Sequence, residues 1–234
     1  MLMSIMVIGA TGCSVKGGYP IWNWHSLNTG AIEEWHEDDD FMVTYHQQIQ
    51  TLEQLREDAP SMPASWHKQK ADLLARMFED HKAPVMRREI LRAAIAIPSA
   101  DVLPLLQSAV DNDDASIRRI AYKEWGKRPA LVAMPVLLKG ARSESEKDVR
   151  IVIIRALGRF KNQQVYDTVT EALNDRDPAV QLAATDSMKE LTGLDYGDTP
   201  EPWIAHVENR PVEVPEQKTA TWLDLINPLY HLGL

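Results

Sequence analysis

The chain has 234 residues, a formal net charge of −9 and a single cysteine. That length suits one ordinary domain, or one short solenoid with irregular ends. One thiol excludes an internal disulfide and a cysteine-based zinc site. The acidic balance argues against a general nucleic-acid binder, whose phosphate contacts need clustered Lys and Arg.

Met1 to Gly12 reads MLMSIMVIGATG, without a charged side chain, and Cys13 follows. The run is far shorter than the roughly 20 apolar residues that span a bilayer. A short apolar stretch ending in small residues before a cysteine, here Ala10-Thr11-Gly12-Cys13, resembles a bacterial lipoprotein signal. The resemblance implies that residues 1–12 are removed and that Cys13 is lipidated, anchoring the chain to a membrane of the cell envelope. The alternative is an apolar N-terminus with an incidental thiol on a cytoplasmic protein.

Residues 13–40 read as a linker, with breakers at Gly17-Gly18-Tyr19-Pro20 and Asn28-Thr29-Gly30. Trp22, Trp24 and Trp35 lie in it without helical or strand period. The stretch Glu33 to Asp40 holds six acids in eight residues. It lacks the Gly that would fold several oxygens around a hard cation, so it reads as a solvated spacer.

Helical patterning begins at residue 41. A first helix is expected over 41–57, stopped by Asp58-Ala59-Pro60, and a second over 65–80, with Trp66, Leu73, Leu74, Met77 and Phe78 apolar. Beyond it the sequence repeats. Met86, Ile117, Val149 and Val180 anchor four segments spaced by 31, 32 and 31 residues. Apolar or small residues recur four and eight positions after each anchor: Ile90 and Ala94, Ala121 and Trp125, Ile153 and Leu157, Ala184 and Met188. Ala93, Ile120, Val152, Ala156 and Ala183 widen the stripe. This is one buried helix face written four times.

The partner helices align as well. Leu74, Leu105, Leu137 and Thr168 stand twelve residues before the anchors. Leu103-Pro104-Leu105-Leu106 and Met134-Pro135-Val136-Leu137 echo each other, and Pro is tolerated at a first helical turn. Ala83, Asp114, Glu146 and Asp177 precede the anchors by three and are the expected N-caps. Each repeat is therefore helix, turn, helix, turn. The expectation is an all-α fold: an α-solenoid of about four antiparallel helix pairs over 41–197, with an extra N-terminal helix and irregular ends.

The motif of an acid, two residues and then Val/Ile-Arg resembles the HEAT-like repeats of phycobilin-lyase-related proteins. It stands as Asp114-Ala115-Ser116-Ile117-Arg118 and nearly so as Glu146-Lys147-Asp148-Val149-Arg150, while Asp177-Pro178-Ala179-Val180-Gln181 lacks the Arg. The resemblance implies a binding scaffold for a protein partner or, alternatively, a lyase-like modification enzyme on the same repeats; HEAT arrays serve many roles. Leu191 to Gly197 with Pro200 and Trp203 is similar to the ending of many bacterial HEAT-repeat proteins. It implies a cap in 198–234, with Trp203 over the open end of the stack. The tail closes on an apolar stretch from Trp222, where Pro228 prevents a long helix.

Candidate sites are few. Arg87, Arg118 and Arg150 follow the repeat period, with Arg88, Arg92, Arg119, Arg155 and Arg159 nearby. They either line a groove for an acidic partner or pair with acids of the adjacent repeat. Trp22, Trp24 and Trp222 lie outside the repeats, as interface anchors or folded over the solenoid ends. The seven histidines are scattered, without the His-x-x-x-His spacing of a metal site. No Gly-x-Ser-x-Gly elbow or phosphate-binding Gly loop occurs. The sequence thus calls for no metal, cofactor, catalytic residue or nucleic acid. It calls for a protein partner, and for a membrane reached through the lipid.

Overall fold

The computed structural model of the chain describes residues 44–213. Two compact units divide the chain, Met1–Gln50 and Thr51–Leu234. Of the first, the described residues are the opening turns of one helix. There Thr44 and Gln47 exchange hydrogen bonds at its start, and His46 and Gln50 bond four residues apart.

Ten α-helices, and no strand, occur among the described residues: α1 Tyr45–Asp58, α2 Ala64–Asp80, α3 Pro84–Ala96, α4 Leu103–Val110, α5 Ala115–Trp125, α6 Ala130–Ser143, α7 Lys147–Leu157, α8 Gln163–Leu173, α9 Pro178–Thr192 and α10 Pro200–Val207. In the second unit they pack as antiparallel pairs, α2 with α3, α4 with α5, α6 with α7 and α8 with α9. The second helices also form a row of their own, α3 to α5 to α7 to α9. This is an all-α solenoid. α10 adds a half-repeat that packs on both α8 and α9.

The period read from the sequence is the core. Met86, Ile117, Val149 and Val180 are all buried, as are the residues four and eight positions beyond each. Leu74, Leu105 and Leu137 face them, joined by Thr168, whose hydroxyl donates to the Gln164 carbonyl at 2.8 Å and so carries no unpaired polar atom inward. Burying a Leu or Ile side chain stabilises a fold by about 1.5–3 kcal/mol. A stripe of three or four per helix therefore holds each pair.

The caps fall on Ala83, Asp114, Glu146 and Asp177, each in extended backbone. Asp114 accepts from the backbone N–H groups of Ser116 and Ile117, and Asp177 from that of Ala179. Glu146 is one carbon too long for this geometry and makes no side-chain cap.

Three expectations need correction. Pro135 is not in a first turn: α6 starts at Ala130, behind Pro129, so Pro135 lies inside the helix. An interior Pro forfeits one backbone bond, and the solvent-exposed opening turn, where Leu131 is 87% exposed, accommodates it. Trp66 is only half-buried, and Lys70 takes the inward position, its ammonium 5.8 Å from the Trp66 ring centroid. Ile120 and Val152 are half-buried rather than core.

Candidate functional site

Two features of the α3–α5–α7–α9 row carry the charged chemistry. One is the Arg ladder in the turns. The other is a groove on the row itself.

Arg118 donates from Nε and Nη2 to both oxygens of Glu144 at 2.8 Å, and from Nη1 to the carbonyls of Asn112 and Asp113 at 2.9 Å. Arg150 pairs with the Asp175 carboxylate. Arg87 donates to the His81 carbonyl at 2.5 Å and lies over the Phe78 ring. Gln181 keeps the backbone contact, donating to the Asp175 carbonyl at 2.8 Å.

The rule is simple. After three of the four anchors, the next residue bonds the carbonyl six positions earlier, at 81, 112 and 175. Where the same turn of the next repeat offers a carboxylate, the Arg reaches that: Glu144 from Arg118 and Asp175 from Arg150. Arg87 has no such bridge, because the corresponding residue is the neutral Asn112. Glu144 and Asp175 in turn accept the backbone N–H of the caps Glu146 and Asp177, at 2.9 Å each. The Arg118 hydrogen bonds hold the Glu144 carboxyl below the ordinary range, and the Ser116 hydroxyl does the same for Asp114. The ladder's donors are therefore spent on joining repeats.

The groove, with a volume of about 580 Å³, lies between the end of α1 and helices α3, α5 and α7. Its cations are Arg56, Arg92, Arg119, Lys123 and Lys127, all exposed. Its apolar lining is Ile95, Ala96, Ile120 and Val152. Glu124 is the sole carboxylate on the wall, and Lys127 at 2.8 Å and Arg128 at 3.0 Å already occupy it. Glu89 binds Arg92 and approaches Arg56. Among the described residues, Arg119 and Lys123 have no ion-pair partner. No hydroxyl, thiol or imidazole lines the groove, so the wall presents charge and apolar surface without a nucleophile.

The cause of the groove is a break in the repeat. Nine positions after its anchor, α5 ends on Gly126 and α7 on Gly158. A Cβ at Gly126 would lie 2.7 Å from the Cβ of Ala156, and one at Gly158 would lie 2.9 Å from Ser187. These glycines allow α5, α7 and α9 to close on one another. At the α3–α5 junction the corresponding pair is Ile95 and Glu124, and both line the groove. Two large side chains replace a glycine and a small residue, and α3 and α5 touch over a shorter stretch than the later pairs.

Residues 134–201, from within α6 to the start of α10, match the family model of HEAT repeats. Over this stretch the chain carries HEAT-like repeats. Among curated proteins none matches it. At the far end of this HEAT-like stack Trp203 is fully buried, its indole N–H bonded to the Gly197 carbonyl at 3.0 Å and its ring edge-on to Tyr196. Among the described residues no cluster of His, Cys, Asp and Glu is arranged for a metal, and no helix is long and apolar enough to cross a membrane. Cys13, Trp22, Trp24 and Trp222, the acid run 33–40 and the proposed signal and linker lie outside the described residues. Sequence reasoning noted Arg92 and Arg119 only as neighbours of the ladder and missed Arg56, Lys123 and Lys127; the missing glycine at Ile95 was the available signal.

Proposed function

We propose that this HEAT-like repeat protein is a non-catalytic scaffold that binds a protein partner through the row of second helices, and that a lipid on Cys13 holds it at a membrane of the cell envelope. The observation that carries the binding reading is the groove: five cations around an aliphatic floor, two of them without an ion pair among the described residues. An unpaired Arg and Lys four residues apart on one helix face repel each other, an arrangement that stability alone does not favour. The Arg ladder supports the reading indirectly, since it fixes the repeats that carry the groove. The anchor rests on Ala10-Thr11-Gly12-Cys13.

Metabolic labelling with a fatty acid tests the anchor. Label is expected in the wild-type chain and absent from Cys13→Ala, and an unlabelled wild-type chain sinks it. For the scaffold, the tagged full chain is expected to capture a specific protein from solubilised membranes. Failure to capture one above a tag-only control removes the scaffold reading.

A further inference from the structure

The groove has a polarity pattern that selects among ligands, and this step rests on the scaffold reading above. Arg119 and Lys123 project from one face of α5, and Arg92 faces them from α3. Ile95 of α3, Ile120 of α5 and Val152 of α7 line the same groove. Ile120 and Val152 hold the same position in successive repeats, so two aliphatic side chains are presented one repeat apart. No aromatic residue lines the groove. Bases would therefore find no platform on which to stack.

We propose that the groove binds an acidic segment of a partner protein in which carboxylates alternate with aliphatic side chains. A carboxylate docks on the planar fork of Arg119, which donates two parallel hydrogen bonds to its oxygens. A second meets Lys123, a point charge with less directional demand. The aliphatic side chains of the segment cover Ile120 and Val152, exclude water and so strengthen the charge contacts beside them. Binding also neutralises the two cations that repel each other in the free protein.

The test uses the full chain and a short fluorescein-labelled peptide of alternating Glu and Leu, read by fluorescence anisotropy. Two matched peptides carry Gln in place of Glu, or Ser in place of Leu, and a single-stranded oligonucleotide serves as the nucleic-acid probe. Arg119→Glu with Lys123→Glu is expected to weaken the Glu/Leu peptide by at least about tenfold. The milder Arg119→Gln with Lys123→Gln should weaken it in the same direction, and Lys161→Glu with Arg176→Glu, an equal change of charge on exposed residues away from the groove, should leave it within about twofold. Both matched peptides should bind more weakly than the first. Equal losses in the two reversal variants, no binding by the wild-type chain, or tighter binding of the oligonucleotide would each overturn the proposal. Capture of a membrane partner that survives Arg119→Glu with Lys123→Glu overturns the groove while leaving the scaffold reading intact.

Discussion

At the scale of residues, the Arg118–Glu144 pair shows how the turns are tied. The two side chains are 15% and 5% exposed, and the contact is bidentate. Removing Arg118 leaves a nearly buried carboxylate without its main donor, although the N–H groups of Ser145 and Glu146 remain. Arg118→Ala should cost about 1.5–3 kcal/mol near neutral pH, the range for hydrogen bonds to charged groups. Glu144 titrates below its unfolded value of about 4.3 because Arg118 stabilises the carboxylate. A carboxyl with a depressed folded pKa contributes stability that is fully present above the unfolded pKa and is lost as pH falls through the folded one. The penalty of Arg118→Ala should therefore shrink on acidification below about pH 4. Urea unfolding of both proteins at neutral and acid pH measures this, and an equal penalty at both excludes the ion pair as its source.

At the scale of elements, the spacing of the second helices is set by what lies at the end of each. Gly126 has ordinary helical backbone, φ −59° and ψ −17°, so its requirement is one of space and not of conformation. Ala there would meet Ala156 at 2.7 Å. Overpacking of this kind costs about 1–3 kcal/mol, which outweighs the gain of about 1 kcal/mol from the better helix propensity of Ala. Gly126→Ala should thus be destabilising, and Ala156→Gly in the same chain should recover part of the loss by removing the opposing Cβ. A double-mutant cycle read by thermal unfolding checks it; strict additivity would show that the two positions do not meet.

The same helix ends explain what was legible in the sequence and what was not. The anchors, their stripes and their caps were legible because a buried face repeated at a fixed period leaves the same residue types at the same offsets. The partners of the Arg ladder were not. They occupy one structural position filled by His81, Asn112, Glu144 and Asp175, which shares no chemistry along the chain. The groove was hidden for a different reason: it arises where Ile95 and Glu124 depart from the pattern, and a search for repetition passes over its exceptions. Lys70 was hidden in the same way: it is buried beside Leu73, Leu74, Met77 and Phe78, which keep the expected face of α2, a charged residue standing where the period calls for an apolar one.

At the scale of the whole unit from Thr51 onward, the architecture is nearly one-dimensional. Each helix pair contacts its neighbours in sequence and little else, so stability is close to a sum of repeat and interface contributions. The two ends of such a stack are its weak points, and α10 closes one of them. Trp203 has no exposed surface, and it packs against Tyr196, whose hydroxyl lies 3.3 Å from His206 Nδ1. Trp203→Ala should cost about 3–5 kcal/mol, the usual result of emptying a buried aromatic site. The loss should not spread evenly. α8 and α9, which α10 covers, should lose amide protection first, while α3 and α5 keep theirs, because the α9–α7 and α7–α5 interfaces separate both from the lesion. Hydrogen exchange by mass spectrometry, compared segment by segment between wild type and Trp203→Ala, resolves this. A uniform fall in protection from α2 to α9 would mean that the repeats unfold as a single cooperative block, with interfaces strong enough to carry the loss of one cap through the entire stack.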